Sequence, residues 1–373
     1  MKKIKKKTRK IILIIVGILL LLFAYGSYNF QDDRQMFLHL INKSAVGEVK
    51  YVLDKMEKTE SLSNPLVNYE YQDFKRKMFA RFVSNDEKFE NTSNNKIIND
   101  ISGIYRNYWR KKLLKASPKD MTDSILYQNI VSYLISNKLT TLSKESLSKT
   151  IRNDSVLKRV IESQGFKVDF KLRNGFQELF IWNKETIKKY TVTLPKKTIK
   201  TKVVFIDSYH INGYDDYASF AYSTVGGWAI KESATLFCNK NVYDLNSEKF
   251  KVSYLKHESI HFTDLNDYPN LSPADLEYRA KVIELMYCSK ATIYDRINEF
   301  VLEANKKDRN NSHPYASYIL IKDLSKLLFN SKFKANISDW QKIPVEKINK
   351  AARSLYEKSE KILKKDNKLS EII

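Results

Sequence analysis

Cysteine, histidine, proline and glycine are all scarce in this chain of 373 residues, which has 2 Cys, 5 His, 7 Pro and 9 Gly. Cys238 and Cys288 have no Cys-x-x-Cys spacing, so a structural zinc site built from cysteines is excluded. With so little glycine and proline, the chain has no internal repeat and no low-complexity tract beyond its N-terminus. Acidic residues are outnumbered, 43 against 65 Lys and Arg, for a net charge of +22. Such a charge can signal nucleic acid, but seven of the basic residues fall within the first ten. The remainder are dispersed along helices rather than interleaved with aromatics, the pattern of a solvated face, and no nucleic acid partner is expected. Anionic envelope polymers and lipid headgroups fit this charge as contacts.

The basic start is followed by an apolar run from Ile11 to Tyr25, which together make a membrane-directed leader over residues 1–28. Fifteen residues reach the upper limit of a signal-peptide core, and extension through Tyr28 approaches the ~20 residues that cross a bilayer. Ala24-Tyr25-Gly26 offers small residues for cleavage, whereas the length of the run favours an uncleaved anchor; both outcomes stay open. No cysteine follows the run, which excludes lipid attachment there. The positive flank stays cytoplasmic, so the bulk of the chain is expected in the cell envelope. It would be a single-pass membrane protein, or secreted or periplasmic after cleavage. In that compartment Cys238 and Cys288 can pair, or remain buried free thiols.

Residues 29–165 carry apolar positions at spacings of three and four over Met36–Met56, Val67–Val83, Ile97–Leu114, Met121–Leu139 and Leu147–Ile161, which predicts a helical region. The period then changes to two. Phe166–Leu172 and Phe176–Trp182 flank Arg173-Asn174-Gly175 as a hairpin, and further strands are expected at Tyr190–Leu194, Lys202–Asp207, Gly226–Ile230 and Ala234–Asn239. The sheet should be largely antiparallel. Residues 306–373 should close the chain with helices, one capped by Ser312 and reaching about Phe329, another from Pro344 to about Lys365.

Two of the five histidines fall in His257-Glu258-Ser259-Ile260-His261. At a separation of four they project from one helix face and can chelate one metal ion, while Glu258 beside them can take a proton from water. Ser247 can cap this helix, whose apolar positions are Phe250, Tyr254, Leu255 and Phe262. Ser272-Pro273-Ala274-Asp275 then opens a second helix containing Leu276-Glu277-Tyr278-Arg279-Ala280, with 15 residues between His261 and Glu277.

These residues resemble the zincin metallopeptidases with the HExxH motif, and specifically the glutamate-zincins, of an envelope type; the likeness covers about Phe166 to Asn305. The resemblance implies an α+β fold with a mostly antiparallel sheet followed by the motif helix and a ligand helix, so residues 166–305 are the expected catalytic domain. It also implies one Zn2+ ion held by His257, His261 and Glu277, with Glu258 as the base. Ala280 matches the Glu-x-x-Ala pattern of related families, whereas Lys281 stands where some of them place a histidine-orienting aspartate. Glu284, two turns beyond Glu277 on nearly the same face, is therefore the orienting carboxylate or the ligand itself, with Glu277 favoured as ligand by the family pattern.

Zincins place an edge strand ahead of the motif helix to pair with an extended substrate. Gly226, Gly227, Trp228 and Ala229 are the candidate rim by that likeness; a tight turn feeding a buried tryptophan fits them equally. His313 and Tyr315 stand at a helix start where either could stabilise a developing oxyanion, as later histidines and tyrosines do in related peptidases, or serve simply as surface capping residues. His210 is a weaker candidate and His39 reads as structural. The expected function is zinc-dependent hydrolysis by a membrane-tethered or exported metallopeptidase acting on a peptide or protein. A non-catalytic zincin-fold envelope binding protein is the alternative that intact Glu258 argues against, and a zinc amidase acting on a cell-wall amide is one that cleft shape would decide.

Overall fold

A computed structural model describes residues 29–87, 89, 93–115, 119–230 and 234–373; the expected leader over residues 1–28 lies outside them. Among the described residues, no helix is long and apolar enough to cross a membrane. Helices and strands are mixed, compatible with the α+β class. The chain forms two compact units, one of residues up to Asn183 with Ser208–Val225, the other of Lys184–Asp207 with Gly226–Ile373. These borders differ from those at 165 and 305 expected from sequence. The first hairpin groups with the N-terminal helices, and the C-terminal helices group with the histidine motif.

The first unit contains α1 (Phe30–Ala45), α2 (Val49–Lys58), α3 (Pro65–Phe79), α4 (Lys96–Leu113), α5 (Lys119–Ser136), α6 (Lys144–Thr150) and α7 (Ser155–Ser163). Asn64 and Asn95 cap α3 and α4, their side-chain oxygens accepting from two backbone N–H groups each. The run Met36–Met56 is two helices rather than one, because Gly47 at φ +93° breaks it, with the Phe176 ring 3.3 Å from where a Cβ would stand. Asp154, at φ 60°, divides Leu147–Ile161 in the same way. Phe37, Phe74, Tyr105, Trp109, Leu134 and Ile161 belong to the core of this unit. β1 (Lys167–Arg173) pairs antiparallel with the start of β2 (Phe176–Thr193) across Asn174 and Gly175, both at positive φ as the tight hairpin turn requires.

β2 is one strand where two were expected, since the exposed segment 184–189 between them also stays extended. β3 (Thr198–Asn212) is likewise longer than its apolar centre, and a short α8 (Gly213–Ser219) precedes β4 (Gly227–Ile230) and β5 (Thr235–Asn239). The strand order is β1-β2-β3-β5-β4. β4 and β5 are antiparallel, but β3 and β5 are parallel, in register from Lys202 with Thr235 to Ile206 with Asn239. The antiparallel pairing expected of most of the sheet holds for β1 with β2 and β4 with β5 and fails at β3 with β5. The connection over 213–234 is long enough to bring the chain back in the same direction, which a hairpin cannot do.

In the second unit a π-helical segment, Lys249–Lys256, runs into α9 (His257–Asp267). Ser247 caps it, its Oγ accepting from the Phe250 N–H at 3.1 Å. Ser272 caps α10 (Pro273–Tyr287) by accepting from the Asp275 N–H at 3.4 Å, with Pro273 in the first turn. α11 (Ile293–Glu303), α12 (Ser312–Phe329), α13 (Ile337–Trp340) and α14 (Val345–Lys365) follow. Ser312 is the first residue of α12 rather than its cap; Asn311 stands at the cap and makes no capping side-chain bond. α10 packs on α9, α12 and α14, and Phe205, Leu236, Phe250, Ile283, Leu320 and Trp340 belong to the surrounding core. Cys238 and Cys288 are buried free thiols.

Arg279 ties three of these helices together. From α10 it donates to both Asp264 oxygens of α9 at 2.7 and 2.9 Å, and to Ser359 Oγ and Glu360 Oε1 of α14 at 2.6 and 2.5 Å. Its planar fork suits this double carboxylate contact, and its side chain is almost fully buried. Removing it leaves Asp264 and Glu360 buried beside a missing cation. We expect Arg279→Leu to lower the stability of this unit by ~3–5 kcal/mol, read as a fall in the urea midpoint. An unchanged midpoint would show that the network is not needed.

Candidate metal centre

His257 begins α9 where the π-helical segment ends, and His261 follows one turn later. π-helical segments widen a helix locally and are frequent at functional sites. The two rings are 5.0 Å apart and nearly perpendicular, and both side chains are largely buried. Opposite them, Glu277 projects from the second turn of α10. Its Oε2 lies 3.3 Å from His257 Nε2 and its Oε1 lies 3.5 Å from His261 Nε2. One donor atom from each of the three falls within 4.8 Å of the others. Two imidazoles and a carboxylate are the donor types that zinc takes in sites with a further position for water or substrate. Glu277 Oε2 and His261 Nδ1 are buried and make no hydrogen bond, so the group is not a closed polar network in itself.

Glu284 lies behind His257, its Oε1 2.7 Å from His257 Nδ1. An ionised carboxylate only accepts, so a ring proton belongs on Nδ1; Nε2 points at Glu277 at 3.3 Å, where it carries a second proton without metal and would offer its lone pair once a metal displaced that proton. Arg296 of α11 holds the other side of Glu284, with Nη2 donating to Oε1 at 3.0 Å and Nε 2.5 Å from Oε2. Burial pushes the Glu284 carboxyl up, but the Arg296 charge and the bond to His257 outweigh it and bring it down to about 2. Burial works in the opposite sense on His257, pushing it down, yet Glu277 and Glu284 together raise it to about 10. Glu277 is held well below the carboxylate range against its burial, by the His313 and His261 charges and the close approach of His257. The two carboxylates thus favour positive charge at His257, which a proton or a metal ion can supply.

His313 joins this group. At the second residue of α12, its Nδ1 lies 3.1 Å from Glu277 Oε2, and its ring is parallel to that of His257 at 6.4 Å. With 55% of its side chain exposed, it borders the group from the solvent side. Tyr315 does not join it; that ring packs on the core with the Arg309 guanidinium 5.4 Å above it. His210 belongs to the other unit, where its ring meets Phe166 edge-on at 4.9 Å. His39 is 3.4 Å from the Tyr51 hydroxyl in that same unit. Lys281, at the position where some glutamate-zincins carry an aspartate, donates to Glu303 Oε2 at 3.0 Å, and Ser317 donates to the same oxygen at 2.7 Å. This joins α10 to α11 and α12 beneath His313.

Glu258 is partly exposed and faces the sheet side of α9 closely enough for its charge to act on Cys238 of β5 and on Tyr243. Burial first, and then Glu258, pushes the Cys238 thiol up to about 12. β4 stands last in the strand order. A Cβ at Gly227 would lie 2.3 Å from Phe237 O and 2.5 Å from the Tyr254 ring, so glycine is required for Tyr254 to pack on the β4–β5 pair. The Tyr254 hydroxyl donates to Phe237 O at 2.6 Å, and Gly226 O accepts from the Asn239 N–H at 2.9 Å. Trp228 is buried and stacks on Phe237 at 5.0 Å, and Ala229 pairs with Leu236. The glycines therefore serve the packing of the motif helix on the sheet edge. Arg296 and the Lys281–Glu303 pair were not anticipated; single charged residues on later helices carry no spacing signal.

No protein family, no curated protein and no solved structure matches the chain.

Proposed function

We propose that the chain is a zinc-dependent peptidase of the zincin type, with His257, His261 and Glu277 holding one Zn2+ ion and Glu258 acting as general base. The observation that carries this reading is the convergence of the two Nε2 atoms on the Glu277 carboxylate while Glu284 holds the far side of His257. It is the donor set of a hydrolytic zinc site together with the outer hydrogen bond that fixes one of its imidazoles. The order of elements supports it as well. A short antiparallel edge pair, β5 and β4, precedes the helix with both histidines, and a helix bearing the third donor follows.

A bound zinc ion supplies Lewis acidity, making water more acidic and a carbonyl more electrophilic. The chain's own groups do the rest. Glu258 takes the proton of the attacking water and returns it to the leaving amine, a transfer that its partial exposure beside His257 permits. His313, exposed over Glu277, donates to the oxygen on which negative charge develops. An extended peptide would pair with the outer edge of β4 along Gly226, Gly227, Trp228 and Ala229, using main-chain hydrogen bonds that do not depend on sequence. Export or tethering through residues 1–28 would place the reaction in the cell envelope.

The test is digestion of a peptide library by the purified full chain. Cleavage that a chelator abolishes and added zinc restores is expected, whereas an unaffected library in the presence of zinc would contradict peptidase function.

A further inference from the structure

Arg296 lies 35 positions after His261 and touches none of the three candidate donors, yet its guanidinium is engaged on several sides. It donates a hydrogen bond from Nη2 to Glu284 Oε1 at 3.0 Å, and its Nε stands 2.5 Å from Oε2 as an ion-pair contact without hydrogen-bond geometry. It pairs with Glu299 one turn along its own helix, and its cationic centre lies 4.6 Å from the Phe300 ring. Glu284 itself is fully buried. A buried carboxylate gripped through one oxygen can rotate about its terminal torsion, which is broad and poorly fixed by sterics. With one guanidinium hydrogen-bonded to Oε1 and in ion-pair contact with Oε2, that rotation would separate the second oxygen from the cation, and the direction of Oε1 toward His257 is restrained.

Resting on the metal-centre reading above, we propose that Arg296 is a positioning residue for the zinc site: it restrains the plane of Glu284 so that Oε1 holds His257 Nδ1–H and His257 Nε2 is aimed at the point shared with His261 and Glu277. The chain of contacts runs from α11 through α10 to α9, so the docking of a helix that provides no donor sets the geometry of one that does. His261 shows what happens without such a partner, since its Nδ1 makes no hydrogen bond. The imidazole pair is thus held asymmetrically, His257 with a buried carboxylate on the side away from Glu277 and His261 with none there. A lysine at 296 would provide charge without the fork.

The experiment compares the full-length wild type with Arg296→Gln and Arg296→Lys, each checked for native circular dichroism. Two readouts are taken. The first is the nitrogen resonance pattern of the histidine rings in protein labelled with 15N-histidine and free of metal. The second is zinc affinity by competition with a chromophoric chelator, together with the visible spectrum of the cobalt-loaded protein. We expect the His257 Nδ1–H resonance, shifted downfield by its bond to Glu284, to move upfield and exchange faster with water in Arg296→Gln, zinc affinity to fall by roughly 10-fold or more with an altered cobalt spectrum, and Arg296→Lys to recover only part of each. An unchanged His257 pattern in both variants overturns the positioning role whatever the metal does. If the wild type takes up neither zinc nor cobalt while the His257 pattern still depends on Arg296, the positioning of the ring stands and the metal-centre reading falls. Should Arg296→Gln fail to fold, Arg296→Lys alone decides, and a wild-type His257 pattern and cobalt spectrum in that variant would overturn the need for the fork.

Discussion

Glu258→Gln is expected to reduce peptide hydrolysis by roughly 10²–10⁴-fold, the share of rate that a positioned general base supplies, while leaving zinc content as in the wild type. The substitution keeps the size of the side chain and its ability to hydrogen bond but removes its capacity to accept a proton from water. Glu258 is not among the three donors that converge, so nothing that would hold the metal is touched. Rates on a peptide found in the library digest, with zinc measured on the same preparation, separate the two effects. Turnover close to that of the wild type would remove Glu258 from the mechanism. Loss of zinc along with activity would instead make it part of the metal-holding set.

The second large effect distinguishes the two carboxylates of α10. Glu277→Ala should strip the metal at chelator concentrations that leave the wild type loaded, because one of three donors is gone. Glu284→Gln should keep the metal but weaken it by roughly 10–100-fold, the usual consequence of disturbing the partner of a metal-binding histidine. Glutamine is chosen there because Glu284 is fully buried against Arg296, and truncation to alanine would leave that cation without its partner. Zinc dissociation measured for both variants gives the answer. If Glu284→Gln loses the metal and Glu277→Ala retains it, the roles of the two residues are reversed.

The parts of this centre that were legible in the sequence are those fixed by local periodicity. A separation of four sets His257 and His261 on one face, and a cap followed by proline dates the start of α10, which puts Glu277 in its second turn. The hairpin at Asn174-Gly175 is legible for the same reason, because positive φ at two consecutive residues leaves few alternatives. What escaped depends on long-range packing. The parallel pairing of β3 with β5 follows from where a 22-residue connection returns, which alternation of apolar residues does not encode. The arrival of His313 over Glu277 depends on how α12 docks on α10, and Ser312, which looked like the cap of α12, is instead its first residue. Arg296 and Arg279 are isolated charges in helical sequence, where the default is a solvated surface position; only the buried carboxylates they meet give them a role. The break at Gly47 was visible in principle, but apolar residues on both sides continued at helical spacing and concealed it.

Zinc stoichiometry of the purified full-length protein tests the central claim most directly. After saturation with zinc and dialysis against metal-free buffer, the wild type should retain one zinc ion per chain by elemental mass spectrometry, and the His257→Ala, His261→Ala double variant should retain none. A wild type that emerges from dialysis without zinc, or a double variant that keeps as much as the wild type, would contradict a zinc centre built on His257, His261 and Glu277.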